Sequence, residues 1–228
     1  KSKMLIAVVI VVVLIVAALA GAWAFGLFGG EDEEKVLVIA MSSDVETMNP
    51  AQTSAMYGPP GMIYETLIAR DTTGAYVPGL AESWNLNRDD PDNPTLELTL
   101  KEGVMYHDGT PFNTESVKRT IEWYSQNESW VSYEFWAIKH NPSYWGTTDY
   151  SGWPDSGIWC IDDTHMVLNL TWADVALIFN LSHLYGSMIG PDALWELGVE
   201  DYGTAQNWDK VVGTGPFMIS EWVAGDHI

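Results

Sequence analysis

The stretch LELTLKEGVMYHDGTPFNTESV, from Leu96 to Val117, decides how this chain is read. Its first six residues alternate, with Leu96, Leu98 and Leu100 on one face and Glu97, Thr99 and Lys101 on the other. Successive side chains of a strand point to opposite faces, so this is a strand with one buried side. His107-Asp108-Gly109-Thr110-Pro111 is dense in turn formers and makes a tight connection. Thr114 is then placed to cap a helix whose inner stripe is Val117, Ile121 and Tyr124. Glu115 and Arg119, four residues apart in that helix, make a favourably oriented surface pair.

Outward from this stretch the same signals recur. Lys35 to Met41 is an apolar run of strand length, compatible with burial on both faces. Asn49-Pro50 marks a turn, and Met62 to Ala69 reads as a helix turn or a strand, ended by Asp71-Thr72-Thr73-Gly74. Asn85 to Pro94 reads as a loop, and its acidic run Asp89-Asp90-Pro91-Asp92 lacks the glycine and distal glutamate of a calcium loop. Asn141 to Ser156 is a long Gly-, Pro-, Ser- and Tyr-rich loop. His165 to Thr171 alternates again, placing Met166, Leu168 and Leu170 inside. Short helices follow over Val175 to Leu181 and from Pro191 to a stop at Gly198, and Phe217 to Val223 is a final strand.

The amino terminus differs in kind. No charged residue occurs from Met4 to Phe28, a run long enough to cross a bilayer core as a helix. Lys1 and Lys3 precede it and Glu31 to Glu34 follow, so its start is expected inside the cell and everything after it outside. A cleaved signal peptide, with Ala18-Leu19-Ala20 or Ala22-Trp23-Ala24 as the site, is the competing reading and leaves the remainder outside as well. The expected organisation is an anchor over 4–28, an acidic linker over 29–35 and a domain over 36–228.

Beyond the anchor, all 31 acids face eight basic residues, a formal charge of −23. That excludes nucleic acid as a partner, because binding phosphates needs a basic footprint. Cys160 is the only cysteine, so no intrachain disulfide forms, and its setting Ile158-Trp159-Cys160-Ile161 reads as a buried small hydrophobe. There is no phosphate loop, zinc helix or nucleophile elbow, and no catalytic residue, cofactor or metal is expected. Gly213-Thr214-Gly215 lacks the third glycine of a dinucleotide fingerprint and reads as a tight turn. His107 beside Asp108 reads as part of a turn and not as an acid–base pair. Asn127, Asn169 and Asn180 head glycosylation sequons.

Several segments, in order, resemble the family 5 extracellular solute-binding proteins, the group containing dipeptide-, oligopeptide- and nickel-binding components of ABC importers. The opening stretch from Leu96 to Val117 is similar to the family's strand, turn and passage into a helix. Ser43 to Pro50, Tyr76 to Trp84, Ile161 to Leu168 and Val212 to Phe217 resemble four further family segments, and Asn141 to Ser156 does not. The resemblance implies a mixed α/β, type II periplasmic-binding-protein-like first lobe of a two-lobed clamp. The second lobe and the returning segment are expected beyond Ile228. Peptide capture for an ABC importer, with its permease subunits as partners, is the function implied. A nickel chelate or an oligosaccharide is an alternative ligand, and a membrane-tethered sensor or chaperone an alternative role.

The positions that carry over as ligand-facing are few. Ser43, Asp44, Val45 and Glu46 match an opening segment that pairs with bound peptide like an added strand. Trp130 and Tyr133 match an aromatic wall, and Gly213, Thr214 and Gly215 fall near the cleft floor. An ordinary strand end, core packing and a structural turn are the respective alternatives. Half a clamp cannot desolvate its ligand, so the 31–228 segment alone is expected to bind weakly or not at all.

Overall fold

A computed structural model describes residues 38–52, 58–125, 131–139 and 157–228. Two units separate at Ser42: Ser43–Ile228 is one, and of Lys1–Ser42 only residues 38–42 are described. The expected membrane anchor over 4–28 and the loop over 141–156 lie outside the described residues. Among the described residues, no helix is long and apolar enough to cross a membrane.

The fold is mixed α/β. Strands β1 (Ile68–Arg70) and β2 (Tyr76–Pro78) form a small antiparallel hairpin. Strands β3 (Ala81–Asn87), β4 (Thr95–Leu100), β5 (Ile158–Cys160) and β6 (His165–Asn169) form an antiparallel sheet in the order β3-β4-β6-β5. The alternation read in the sequence is realised: Leu96 and Leu98 pair with Leu168 and Met166 on the buried face. Among the described residues, four α-helices accompany the strands: α1 (Pro60–Ile63), α2 (Thr114–Tyr124), α3 (Val175–Asn180) and α4 (Pro191–Asp201).

Helix α2 is the centre of the core. Val117, Ile121, Trp123 and Tyr124 are all at most 1% exposed. Burying an aliphatic side chain of this size is worth roughly 1.5–3 kcal/mol, so the stripe alone supplies several kcal/mol. Polar atoms on the buried rings are satisfied: Trp123 Nε1 donates to Leu194 O at 3.1 Å and Tyr124 Oη to Ser187 O at 2.9 Å. Tyr124 stacks on Phe135, with ring centroids 5.7 Å apart.

Several expectations are corrected. The cap of α2 is Asn113, not Thr114: Asn113 Oδ1 accepts from Ser116 N, and Ser116 Oγ accepts from Asn113 N, both at 3.0 Å. Thr114 instead donates its hydroxyl to Asp162 O, tying the helix start to the β5–β6 turn. Arg119 pairs with Asp192 at 2.7 Å rather than with Glu115, and the intrahelical pair is Lys118–Glu122. Strand β3 runs through Asn87 into the expected loop, because Asn85 sits on the solvent face opposite Glu97, where a polar side chain costs nothing. Helix α4 does not end at Gly198; that residue, at φ 75° and ψ −176°, breaks the helix internally and a further turn runs to Asp201.

Two expected strands do not form. Of Lys35 to Met41, the described part from Val38 onward has no ladder partner and Val38 is 84% exposed. Phe217 to Val223 makes single bonds, Phe217 N to Met62 O and a Val223–His227 bridge, because no strand lies beside it among the described residues. Cys160 is half-buried, and burial pushes its thiol pKa up. The acidic loop behaves as read: Asp90 accepts from Asp92 N and Asn93 Nδ2.

Candidate functional site

The loop Gly213-Thr214-Gly215 is wedged against the end of α1. A methyl at Gly213 would overlap Ile63 O, and one at Gly215 would lie 2.5 Å from Met62 O. Glycine is required here by close backbone approach, not by backbone conformation. Gly215 N donates to Ile63 O at 2.8 Å, and Gly190 N donates to Val212 O just before the loop. Thr214 Oγ1 is buried without a hydrogen-bond partner. On the opposite side the loop is held by His107, whose Nε2 lies 2.8 Å from Gly215 O. His107 and Asp108 are therefore not an acid–base pair; Asp108 is occupied with Thr110 N and Thr110 Oγ1 at 2.9 and 2.6 Å.

Beneath the loop lies a buried pair of phenols. Tyr64 Oη and Tyr202 Oη are 3.0 Å apart, and Val212 N donates to Tyr202 Oη at 3.3 Å. Burial raises both phenol pKa values, so each stays neutral and available for hydrogen bonding.

Next to α1, a depression of about 440 Å³ opens between Tyr64, Thr66 and Arg70 on one side and Ser182, His183 and Ser187 on the other. Arg70 Cζ sits 5.1 Å above the Phe179 ring, a cation–π placement. The His183 ring lies 5.3 Å from Phe179 and 4.4 Å from Tyr185. Burial, with Arg70 second, lowers the His183 pKa and favours the uncharged imidazole. A guanidinium, hydroxyls and backbone groups in one hollow suit a ligand with carboxylate and amide groups. Among the described residues, no cluster of three or more His, Cys, Asp and Glu side chains is placed to hold a metal.

The residues expected to face a ligand are distributed unevenly. Ser43, Asp44 and Glu46 are exposed, and Val45 is partly buried against the core. Asp44 Oδ1 accepts from Val45 N and Asp44 Oδ2 from Gly225 N, which fixes the segment. The backbone N–H groups of Ser43, Asp44 and Glu46 form no hydrogen bond within the described chain. Tyr133 is exposed in a short 3-10 turn, Ser132–Phe135, edge-on to Trp136. Trp130 lies outside the described residues. Gly213 lies against Tyr64, which lines the hollow, while no hydrogen bond joins the loop to 43–46 among the described residues.

Arg70, His183 and Ser187 are absent from the sequence reading. Ser182, His183 and Ser187 punctuating the apolar stretch after Asn180 were the available signal for two of them, and nothing local signalled Arg70. The Asn180 sequon is inaccessible, since Asn180 is 4% exposed and its Nδ2 donates to Glu134 O at 2.8 Å.

Residues 75–228 match the family described as bacterial extracellular solute-binding proteins, family 5, middle part; the chain belongs to that family. It is similar to the glutathione-binding protein GsiB of Escherichia coli O1:K1 / APEC, 26% identical over 196 residues, which are 85% of this chain and 34% of GsiB. Its fold is similar to part of the substrate-binding domain of an oligopeptide ABC transporter from Bacillus anthracis str. Ames, with a TM-score of 0.68 and 16% identity over 82% of this chain and 35% of that one. NikZ from Campylobacter jejuni, solved in complex with Ni(L-His), superposes with a TM-score of 0.63 and 23% identity over 82% and 33%. The chain thus spans about a third of the length of the proteins it matches.

Proposed function

We propose that this chain is the first lobe of an extracytoplasmic clamp that captures peptides for an ABC importer, acting by binding and not by catalysis. The observation that carries the reading is the exposed segment Ser43–Glu46, fixed through Asp44 yet with three backbone N–H groups that meet no acceptor among the described residues. Such a backbone can accept an extended peptide as an added strand, a mode tolerant of sequence. Elsewhere in the lobe, the hollow lined by Arg70 and His183 offers a counter-charge for a ligand carboxylate. GsiB, named for glutathione, makes a short peptide of this kind the natural first ligand to try.

Capture of a metal chelate is the second reading, favoured by the NikZ likeness and by His183 in the hollow. The apolar run over 4–28 supports a single-pass anchor that keeps the lobe near its permease and raises its local concentration there.

The test is calorimetric titration of the product of the whole reading frame with glutathione, a tri- to pentapeptide pool, nickel–histidine and an oligosaccharide pool. Saturable peptide binding supports the proposal. Binding of the nickel chelate alone moves the assignment to the second reading, and binding of none of them overturns both.

A further inference from the structure

His107 makes three hydrogen bonds to one loop more than a hundred residues away. Its backbone N–H donates to Gly213 O at 2.9 Å, its Nδ1 lies 3.2 Å from Gly213 N, and its Nε2 lies 2.8 Å from Gly215 O. A carbonyl oxygen can only accept, and an amide N–H can only donate. The partners therefore assign the ring: Nε2 carries the proton and Nδ1 is bare. Only the neutral imidazole, in that single tautomer, satisfies both contacts.

We infer that His107 is the positioning residue of the Gly213–Gly215 loop, and that protonating its ring releases Gly213 while keeping hold of Gly215. An imidazolium carries N–H on both nitrogens, so Nδ1–H would meet Gly213 N–H, donor against donor. The bond from Nε2–H to Gly215 O becomes charge-assisted instead, and persists. The result is a selective loosening of one end of the loop. Its meaning for ligand capture rests on the proposed role of 213–215, but the switch itself does not.

The surroundings leave the response to His107. Asp108, on the same turn, is engaged by Thr110. Tyr64 and Tyr202, under the loop, bond to each other and are held neutral by burial. Lys210, ahead of the loop, is paired with Glu196 at 3.6 Å. Histidine is the side-chain type whose ordinary charge change falls in the physiological pH range. The loop also has something to gain by moving, because the buried Thr214 hydroxyl lacks a partner in the clasped arrangement.

The experiment is site-resolved amide exchange of the 228-residue chain by NMR between pH 7.5 and 5, expressed as protection factors to remove the intrinsic pH dependence. Gly213 should lose protection by about fivefold in acid, the equivalent of one net hydrogen bond. Gly215, whose N–H donates to Ile63 O, should not change. His107→Asn places a carbonyl where Nδ1 stood and cannot protonate, so Gly213 should stay protected at every pH. His107→Gln mimics the Nε2 donor alone, so Gly213 should be poorly protected throughout. Loss of both amides together in acid, or a Gly213 response in His107→Asn equal to the wild type, overturns the inference. Imidazole ¹⁵N shifts of the wild type decide it without any variant: an Nδ1–H tautomer at pH 7.5 refutes the clasp. A failed clasp leaves peptide binding unaffected, so the two proposals fail separately.

Discussion

Replacing Gly215 with alanine would put a methyl carbon 2.5 Å from Met62 O and 2.7 Å from Ile63 C, and these are backbone atoms that cannot rotate away. The loop must then retreat from α1. Three hydrogen bonds are at risk: Gly215 N to Ile63 O at 2.8 Å, Phe217 N to Met62 O at 3.2 Å, and His107 Nε2 to Gly215 O at 2.8 Å. At a net value of about 1 kcal/mol each, their loss costs about 3 kcal/mol. Alanine also restricts the unfolded chain, which returns about 0.4–1 kcal/mol. The net expectation is a destabilisation of about 2–2.5 kcal/mol, or about 4–10 °C in Tm for a domain of this size. Urea unfolding followed by tryptophan fluorescence, with the m-value checked for constancy, measures it. Gly61→Ala is the control, because a methyl there meets nothing within 4 Å; it should be neutral or slightly stabilising. A Gly215→Ala protein within about 0.5 kcal/mol of the wild type, the threshold of an ordinary surface change, would refute the wedge argument.

Other tests are quicker. Tyr202→Phe removes a buried hydroxyl that serves both Tyr64 and Val212, and should cost about 2–3 kcal/mol in urea, while Tyr64→Phe strands one partner and should cost less. Equal costs would contradict a network centred on Tyr202. Because burial and Arg70 lower the His183 pKa, the unfolded chain binds a proton that the folded chain resists. Stability should therefore fall as pH drops through the unfolded value of about 6.5, and His183→Gln should flatten that part of the profile. In a glycosylating host, mass spectrometry should find no glycan on Asn180, whose amide nitrogen is buried against Glu134 O.

The elements legible in the sequence were those whose reason is local. Leu96, Leu98 and Leu100 alternate because one face of β4 is buried and the other wet, and Met166 and Leu168 repeat the pattern on its neighbour β6. Val117, Ile121 and Tyr124 recur at helical spacing because α2 turns a single stripe into the core. Apolar content without a neighbour misled: Phe217 to Val223 has strand composition, but a strand exists only where another pairs with it. Capping went astray by one residue, since Asn113 and Thr114 are both good caps and the choice was made by Asp162, which takes the Thr114 hydroxyl.

By itself the sequence determined the strand–turn–helix succession around Leu96–Val117, the family resemblance and the absence of a recognisable catalytic motif. All three follow from residue types at short, fixed spacings. Tertiary structure alone decided which polar groups meet. His107 reaches Gly215 across 108 positions, Tyr64 reaches Tyr202 across 138, and Arg70 finds the Phe179 ring beside His183. No periodicity encodes such pairs, because each is set by where the folded backbone returns, and five scattered histidines look alike until the chain brings one of them against two glycines.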